Sequence, residues 1–282
     1  MKIIECPRDA MQGVERFIPT ADKAAYINQL LKVGFDTIDF GSFVSPKAIP
    51  QMKDTGEVLD LLSMENTRSK LLAIVANTRG AVQACDFEQI TYLGFPMSIS
   101  ETFQLRNTNK SIAEALNTLN EIQEVCQKNS KTLVTYISMG FGNPYGDIYD
   151  EDIVAKFVDI LTTMKVNIIS LADTVGVSNP HQIQRLFGSL SQQYPDVELG
   201  AHLHSNPATA VEKIDAAYRA GCKRFDGAIK GWGGCPMAED ELVGNIATET
   251  IIAFLEEEGE SLALDKKALA SSIALSDRVF PN

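Results

Sequence analysis

Short runs of apolar and β-branched residues alternate along this chain with longer stretches whose apolar positions recur at helical spacing. The short runs read as strands buried on both faces, because a parallel strand covered by helices loses the in/out alternation of a half-exposed one. They fall at residues 2–6, 37–40, 70–75, 89–93, 132–137, 166–171, 197–203 and 224–228. Helical periodicity marks 20–33, 55–64, 111–128, 151–164, 180–191, 208–220 and 247–258. Asn179 before Pro180 supplies an N-cap and a first-turn proline, and Ser111 with Glu114 fits a capping box. Gly34 and Gly221 stand where a helix is closed by a left-handed residue. The stretch between the third and fourth strands leaves room only for a short helix, 79–85. Strands that each feed a helix, within ~250 residues, are the makings of an α/β fold of the (β/α)8, or TIM-barrel, type. A doubly wound open sheet is the alternative, but the turn after the first strand, Cys6 to Gln12, lacks the Gly-x-Gly-x-x-Gly of that fold. No Pro/Ser-rich linker or low-complexity tract interrupts the 282 residues, so one catalytic domain spanning 1–282 is expected.

Composition narrows the classes. The chain is 45% hydrophobic and 22% charged, with a net charge of −12. That is globular composition with an acidic surface, which disfavours nucleic acid and anionic lipid as partners. No run approaches the ~20 apolar residues of a membrane span, and the N-terminus enters a strand directly rather than a leader, so a cytoplasmic location is expected. The 5 cysteines are scattered, which reads as reduced thiols.

In a (β/α)8 barrel the functional groups gather at the C-terminal ends of the strands. The polar residues that break the pattern fall there: Arg8 and Asp9, Asp39, Asn77, Asp173 and Thr174, His202 and His204, and the loop from Lys230 to Cys235. Of 3 histidines, His202 and His204 sit at i and i+2 on one strand face. Taken alone they are either half of a divalent-metal site or two separately hydrogen-bonded side chains. Asp9 would add a carboxylate from the first strand. Asn245 would add an amide oxygen, or is simply a helix N-cap. Oxygen and nitrogen ligands with open positions suit Mg²⁺ or Mn²⁺. The glycines around Cys235 make that loop resemble a gate over substrate, with the thiol as a candidate acid/base. His181 reads as solvent-facing, and Trp232 as either a loop anchor or a ligand contact.

The segments Pro7–Gln12, 42–52 (Ser-Phe-Val-Ser-Pro-Lys-Ala-Ile-Pro-Gln-Met), 170–176, 201–204, 233–236 and 244–249 together resemble the 3-hydroxy-3-methylglutaryl-CoA lyase family, in collinear order from about residue 2 to residue 260. The Ser-Phe-Val-Ser-Pro-Lys run and the Gly-Gly-Cys-Pro loop are specific to the lyases. The Arg-Asp and His-x-His elements are shared with isopropylmalate and homocitrate synthases. The resemblance implies retro-Claisen cleavage of 3-hydroxy-3-methylglutaryl-CoA to acetyl-CoA and acetoacetate, leucine degradation as the pathway, and a homodimer. It further implies that Asp9, His202, His204 and Asn245 hold the cation and Arg8 stabilises the enolate oxygen. Asp173 would lie near the substrate hydroxyl, and Cys235 would protonate or shield the enolate carbon. Asn77 would lie beside the CoA arm, and Ser42 and Thr174 would contact substrate. CoA phosphates on an acidic protein require a local basic patch, for which Lys47 and Arg79 are the candidates. Three features depart from the lyase pattern: Asp39 stands where glutamate is usual, Ser205 where an acid is usual, and the stretch after Cys235 is one residue longer. A related 3-hydroxyacyl-CoA is therefore an alternative substrate. A condensing enzyme of the synthase type and a silent CoA-binding homologue are the alternative functions.

Overall fold

The computed structural model describes residues 1–234 and 243–280. Its elements run β1 (Lys2–Glu5), α1 (Pro7–Gln12), α2 (Thr20–Val33), β2 (Thr37–Ser42), α3 (Thr55–Asp60), β3 (Lys70–Ile74), α4 (Thr78–Cys85), β4 (Ile90–Ser98), α5 (Glu101–Thr108), α6 (Ile112–Lys128) and β5 (Thr132–Ser138). They continue α7 (Glu151–Thr163), β6 (Ile168–Asp173), α8 (Pro180–Gln193), β7 (Glu198–Ser205), α9 (Ala210–Arg219), β8 (Arg224–Gly227), β9 (Gly244–Asn245), α10 (Thr248–Glu257) and α11 (Lys266–Val279). Strands β1 to β8 pair in parallel with their sequence neighbours, and β8 with β1, closing a (β/α)8 barrel.

The expected punctuation is in place. Ser111 and Glu114 form a reciprocal capping box on α6, Asn179 caps α8, and α2 ends on left-handed Gly34. The strands at the catalytic end run further than the hydrophobic pattern indicates: β2 reaches Ser42, and β4 continues through Pro96 to Ser98. Asp39 therefore lies within a strand, not at its end. Three helices carry too short or too polar a period to be read: α1, α5 and the C-terminal α11, which packs on α2.

Lateral register fixes which side chains enter the barrel, because paired residues point the same way. Asp39 pairs with Leu72, Tyr136 with Ser170, Ala172 with His202, Gly200 with Arg224, and Ile4 with Asp226. The interior thus has two halves. Leu72, Ile74, Tyr92, Val134, Tyr136 and Ile168 form an apolar cluster contributed by β3 to β6. The other half, from β2, β7 and β8, carries Asp39, His202, Arg224 and Asp226. The opposite strand faces pack into the main core beneath the helices.

Candidate active site

Pro7 occupies the first turn of α1, where its missing N–H costs nothing, and the helix turns Arg8 and Asp9 back over the barrel mouth. Arg8 grips Asp39 through Nη2–Oδ2 (2.5 Å) and Nε–Oδ2 (3.0 Å) and donates from Nη1 to Asp9 Oδ1 (2.9 Å). Gln12, one turn on, donates to the same Asp9 oxygen at 2.9 Å. Burial lifts the Asp39 carboxyl to about 6 in spite of the guanidinium. Burial works in the same sense on Asp9, but Arg8, His202, His204 and the Asn245 amide outweigh it and hold this carboxyl below its ordinary range.

His202 and His204 project from β7 with ring centroids 5.3 Å apart. Each is tied from behind. His202 Nδ1 lies 3.2 Å from Asp226 Oδ2, and His204 Nδ1 lies 3.0 Å from the carbonyl of Thr174. The carbonyl can only accept, so His204 carries its proton on Nδ1 and presents a bare Nε2. That nitrogen is buried without a hydrogen-bond partner among the described residues. Burial and the neighbouring imidazole push the His204 ring down to about 4, so it is neutral near pH 7. His202 is shifted upward: burial opposes this, but the hydrogen bond and charge of Asp226 prevail.

Ligand atoms of Asp9, His202 and His204 lie within 4.8 Å of one another. Two imidazoles, one of them neutral with its Nε2 lacking a partner among the described residues, beside an ionised carboxylate are a donor set fitted to a divalent cation. Asn245 does not cap a helix. It sits in β9, paired antiparallel with His204, while α10 begins at Thr248. Its amide donates to Asp9 Oδ2 at 2.6 Å and to the Trp232 carbonyl at 3.0 Å. Asn245 thus touches the group through its nitrogen, and its oxygen would join a cation only after the amide turns over.

A cavity of about 400 Å³ opens above these groups. Arg8, Asp9, Gln12, Thr174, His202 and His204 form its polar floor. Ile74, Phe95, Pro96, Phe103 and Tyr136 form an apolar wall, with Val44, Ala48 and Ile49 nearby. In the loop after β8, Gly233, at φ +87°, passes so close to α1 that a Cβ would stand 2.8 Å from the Asp9 carbonyl. Trp232 is a loop anchor, stacked on Phe280 at 5.7 Å. Cys235 lies outside the described residues.

Other polar residues of the rim have local duties. Asp173 does not line the cavity. Its Oδ2 takes the Lys213 ammonium (2.8 Å), the Ser178 hydroxyl and the Ser178 N–H, and its Oδ1 accepts from the Val177 N–H. These contacts tie Asp173 to the loop after β6 and to α9, away from the cavity lining where it was expected beside the substrate hydroxyl. Asn77 is exposed and spends its oxygen capping α4 through the Gly80 N–H, and it too is absent from the cavity wall. Ser42 is buried beneath the loop, accepting from Val44 N–H. Lys47, Arg79 and His181 are exposed. Three residues that matter escape the sequence pattern. Gln12 lies one helical turn from Arg8 and Asp9. Asp226 and Arg224 stand at i and i+2 in a strand otherwise apolar, and charges in such a strand were the available signal.

A (β/α)8 barrel whose mouth gathers an aspartate, two imidazoles and an arginine defines a class of barrel proteins with a metal-type site at the strand ends. The particular family follows from comparison. Residues 2–275 match the model of the HMGL-like family, and the chain belongs to that family. It is 35% identical over 251 residues to hydroxymethylglutaryl-CoA lyase YngG of Bacillus subtilis, covering 89% of this chain and 83% of the relative. It is 31% identical over 249 residues to the 3-hydroxy-3-isohexenylglutaryl-CoA/hydroxymethylglutaryl-CoA lyase of Pseudomonas aeruginosa, covering 88% and 82%. An HMG-CoA lyase from Acinetobacter baumannii, solved with coenzyme A and 3-methylmalate, superposes with a TM-score of 0.91 at 31% identity, over 99% of this chain and 90% of that one.

Proposed function

We propose that the protein is a carbon–carbon lyase that cleaves 3-hydroxy-3-methylglutaryl-CoA to acetyl-CoA and acetoacetate. The observation that carries this reading is the convergence of Asp9, His202 and His204 beside a buried, fixed guanidinium at the floor of one cavity. These three residues would hold Mg²⁺ or Mn²⁺, with Asn245 joining after its amide turns. A bound cation supplies Lewis acidity to the tertiary hydroxyl and orients the distal carboxylate.

The remaining chemistry belongs to the chain. Arg8, locked by Asp39 and Asp9, presents positive charge where the thioester oxygen becomes an enolate, and such charge is worth most at the transition state. Asp39 acts as a positioning residue through Arg8; one methylene shorter than glutamate, it still reaches the guanidinium at two nitrogens. With Asp173 engaged by Lys213, a water held by Asp9 takes the hydroxyl proton. Cys235 protonates or shields the enolate carbon, as the family resemblance implies. Lys47 and Arg79, exposed outside the cavity, meet the CoA phosphates. The chain works as one catalytic domain, as a homodimer in the cytoplasm.

The test is direct. Purified protein with Mg²⁺ or Mn²⁺ and a thiol reductant releases acetoacetate from the hydroxymethylglutaryl thioester. Consumption of acetyl-CoA with a 2-oxo acid and no release would select a condensing enzyme instead; CoA binding without turnover would select a silent homologue. The apolar wall formed by Phe95, Phe103 and Tyr136 favours a second reading of the substrate, a glutaryl thioester with a larger apolar branch at C3. Comparing kcat/KM for the methyl and an isohexenyl branch decides between them.

A further inference from the structure

Below the cavity floor a line of charged side chains crosses the barrel interior. Lys2 Nζ bonds Glu198 Oε2 at 2.6 Å, and Glu198 Oε1 meets Arg224 Nη1 at 3.3 Å. Arg224 Nε stands 3.9 Å from Asp226 Oδ1, whose other oxygen faces His202 Nδ1 at 3.2 Å. The side chains of Arg224 and Asp226 are 0% exposed. Charges so deep are costly unless paired, and replacing such a pair with apolar residues is often neutral or stabilising. Its place in the barrel therefore calls for a role beyond stability.

The surroundings are shaped to the pair. Arg224 lies across β7 at Gly200, where a Cβ would stand 3.0 Å from the arginine Cδ and 2.9 Å from Ser170 Oγ. Any larger residue at 200 would displace the guanidinium stem. The pair is linked by charge and not by a full set of hydrogen bonds, since Arg224 Nε and Nη2 and Asp226 Oδ1 have no hydrogen-bond partner among the described residues. Among the described residues, the Asp226 side chain has one hydrogen-bond partner, His202. It engages Nδ1 of the imidazole and leaves Nε2 as the ring nitrogen available to the group formed with Asp9 and His204.

We infer that Asp226, held in place by Arg224, is a positioning residue that orients His202 for the cation. The inference rests on the metal-site reading above. A carboxylate behind a metal-binding imidazole sets both the ring's orientation and its strength as a ligand, and losing it typically costs ~10–100-fold in metal affinity. His204 uses a backbone carbonyl for the same purpose, so the two imidazoles are backed by groups of different charge, and only the His202 side can be tuned by a side-chain substitution.

The experiment measures Mn²⁺ affinity by electron paramagnetic resonance of the free ion, without substrate. Wild-type protein, Asp226→Asn and Asp226→Glu are compared, with near-ultraviolet circular dichroism as the check on folding. Asp226→Asn keeps the shape and loses the charge; its Kd for Mn²⁺ is expected to rise ~10–100-fold while the wild-type spectrum is kept. Asp226→Glu restores the charge on a longer arm and is expected to recover part of the loss. Should Asp226→Asn fail to fold, Asp226→Glu carries the test, expected at the ~10-fold end of that range. Native-like variants that bind Mn²⁺ as tightly as wild type would overturn the inference and leave the metal site standing. A wild-type protein that binds no Mn²⁺ would overturn the metal-site reading, and this inference with it.

Discussion

Glu5 is fully buried at the end of β1, where its carboxyl accepts from the Ile229 N–H at 2.9 Å and meets the Thr248 hydroxyl at 2.5 Å. It thereby ties the loop after β8 and the start of α10 to the first strand. Burial raises its pKa from 4.5 to about 8, against the hydrogen bonds from Thr248 and Ile229 and with a smaller contribution from the like charge of Glu249. The folded state then keeps a proton that the unfolded chain releases. Stability from this group is fully present below pH ~4.5 and is lost as pH rises through 8, at about 1.4 kcal/mol per pH unit inside the window. Between about pH 5 and pH 7 the loss is about 2–3 kcal/mol. Glu5→Gln presents a neutral group of the same shape, able to accept from Ile229 and donate to Thr248, and has no proton to lose. Urea unfolding of wild type and variant across that range, in chelator, isolates this one group because all others cancel in the difference. The gap is expected to open steadily with pH in favour of the variant. Parallel stability curves would refute a neutral, buried Glu5.

Arg8→Met removes the fixed charge at the enolate position and is expected to lower kcat ~10²–10³-fold, checked by steady-state release of acetoacetate. Lys213→Met leaves the Asp173 carboxylate buried without its cation and is expected to cost about 3–5 kcal/mol in chemical denaturation. Reversing both charges in Lys47→Glu/Arg79→Glu is expected to raise KM for the CoA ester while kcat holds; an unchanged KM would remove these residues from the CoA site.

Much of the barrel is legible because parallel strands buried on both faces appear as unbroken apolar runs, and helices such as α6 and α8 carry their caps in the sequence. What escapes has a physical reason. A six-residue helix such as α1 is too short to show a period. The two-residue strand that carries Asn245 exists only through its pairing with His204. The aspartate and histidines of the site could be read because strand parity and strand ends placed them together. Asp173 sits on the same rim, but Lys213, 40 residues away on α9, claims it, and that contact is tertiary. Asp226 is illegible for the converse reason: an acid inside a strand gives no hint of which side chain it will back.

Lyase chemistry at this barrel mouth requires Asp9, His202 and His204 to share one cation. A crystal soaked in Mn²⁺ and measured for anomalous scattering tests this most directly. The expected result is a single strong peak bonded to one Asp9 oxygen and to Nε2 of both histidines. A peak elsewhere, or no manganese at these atoms at saturating concentration, would contradict it.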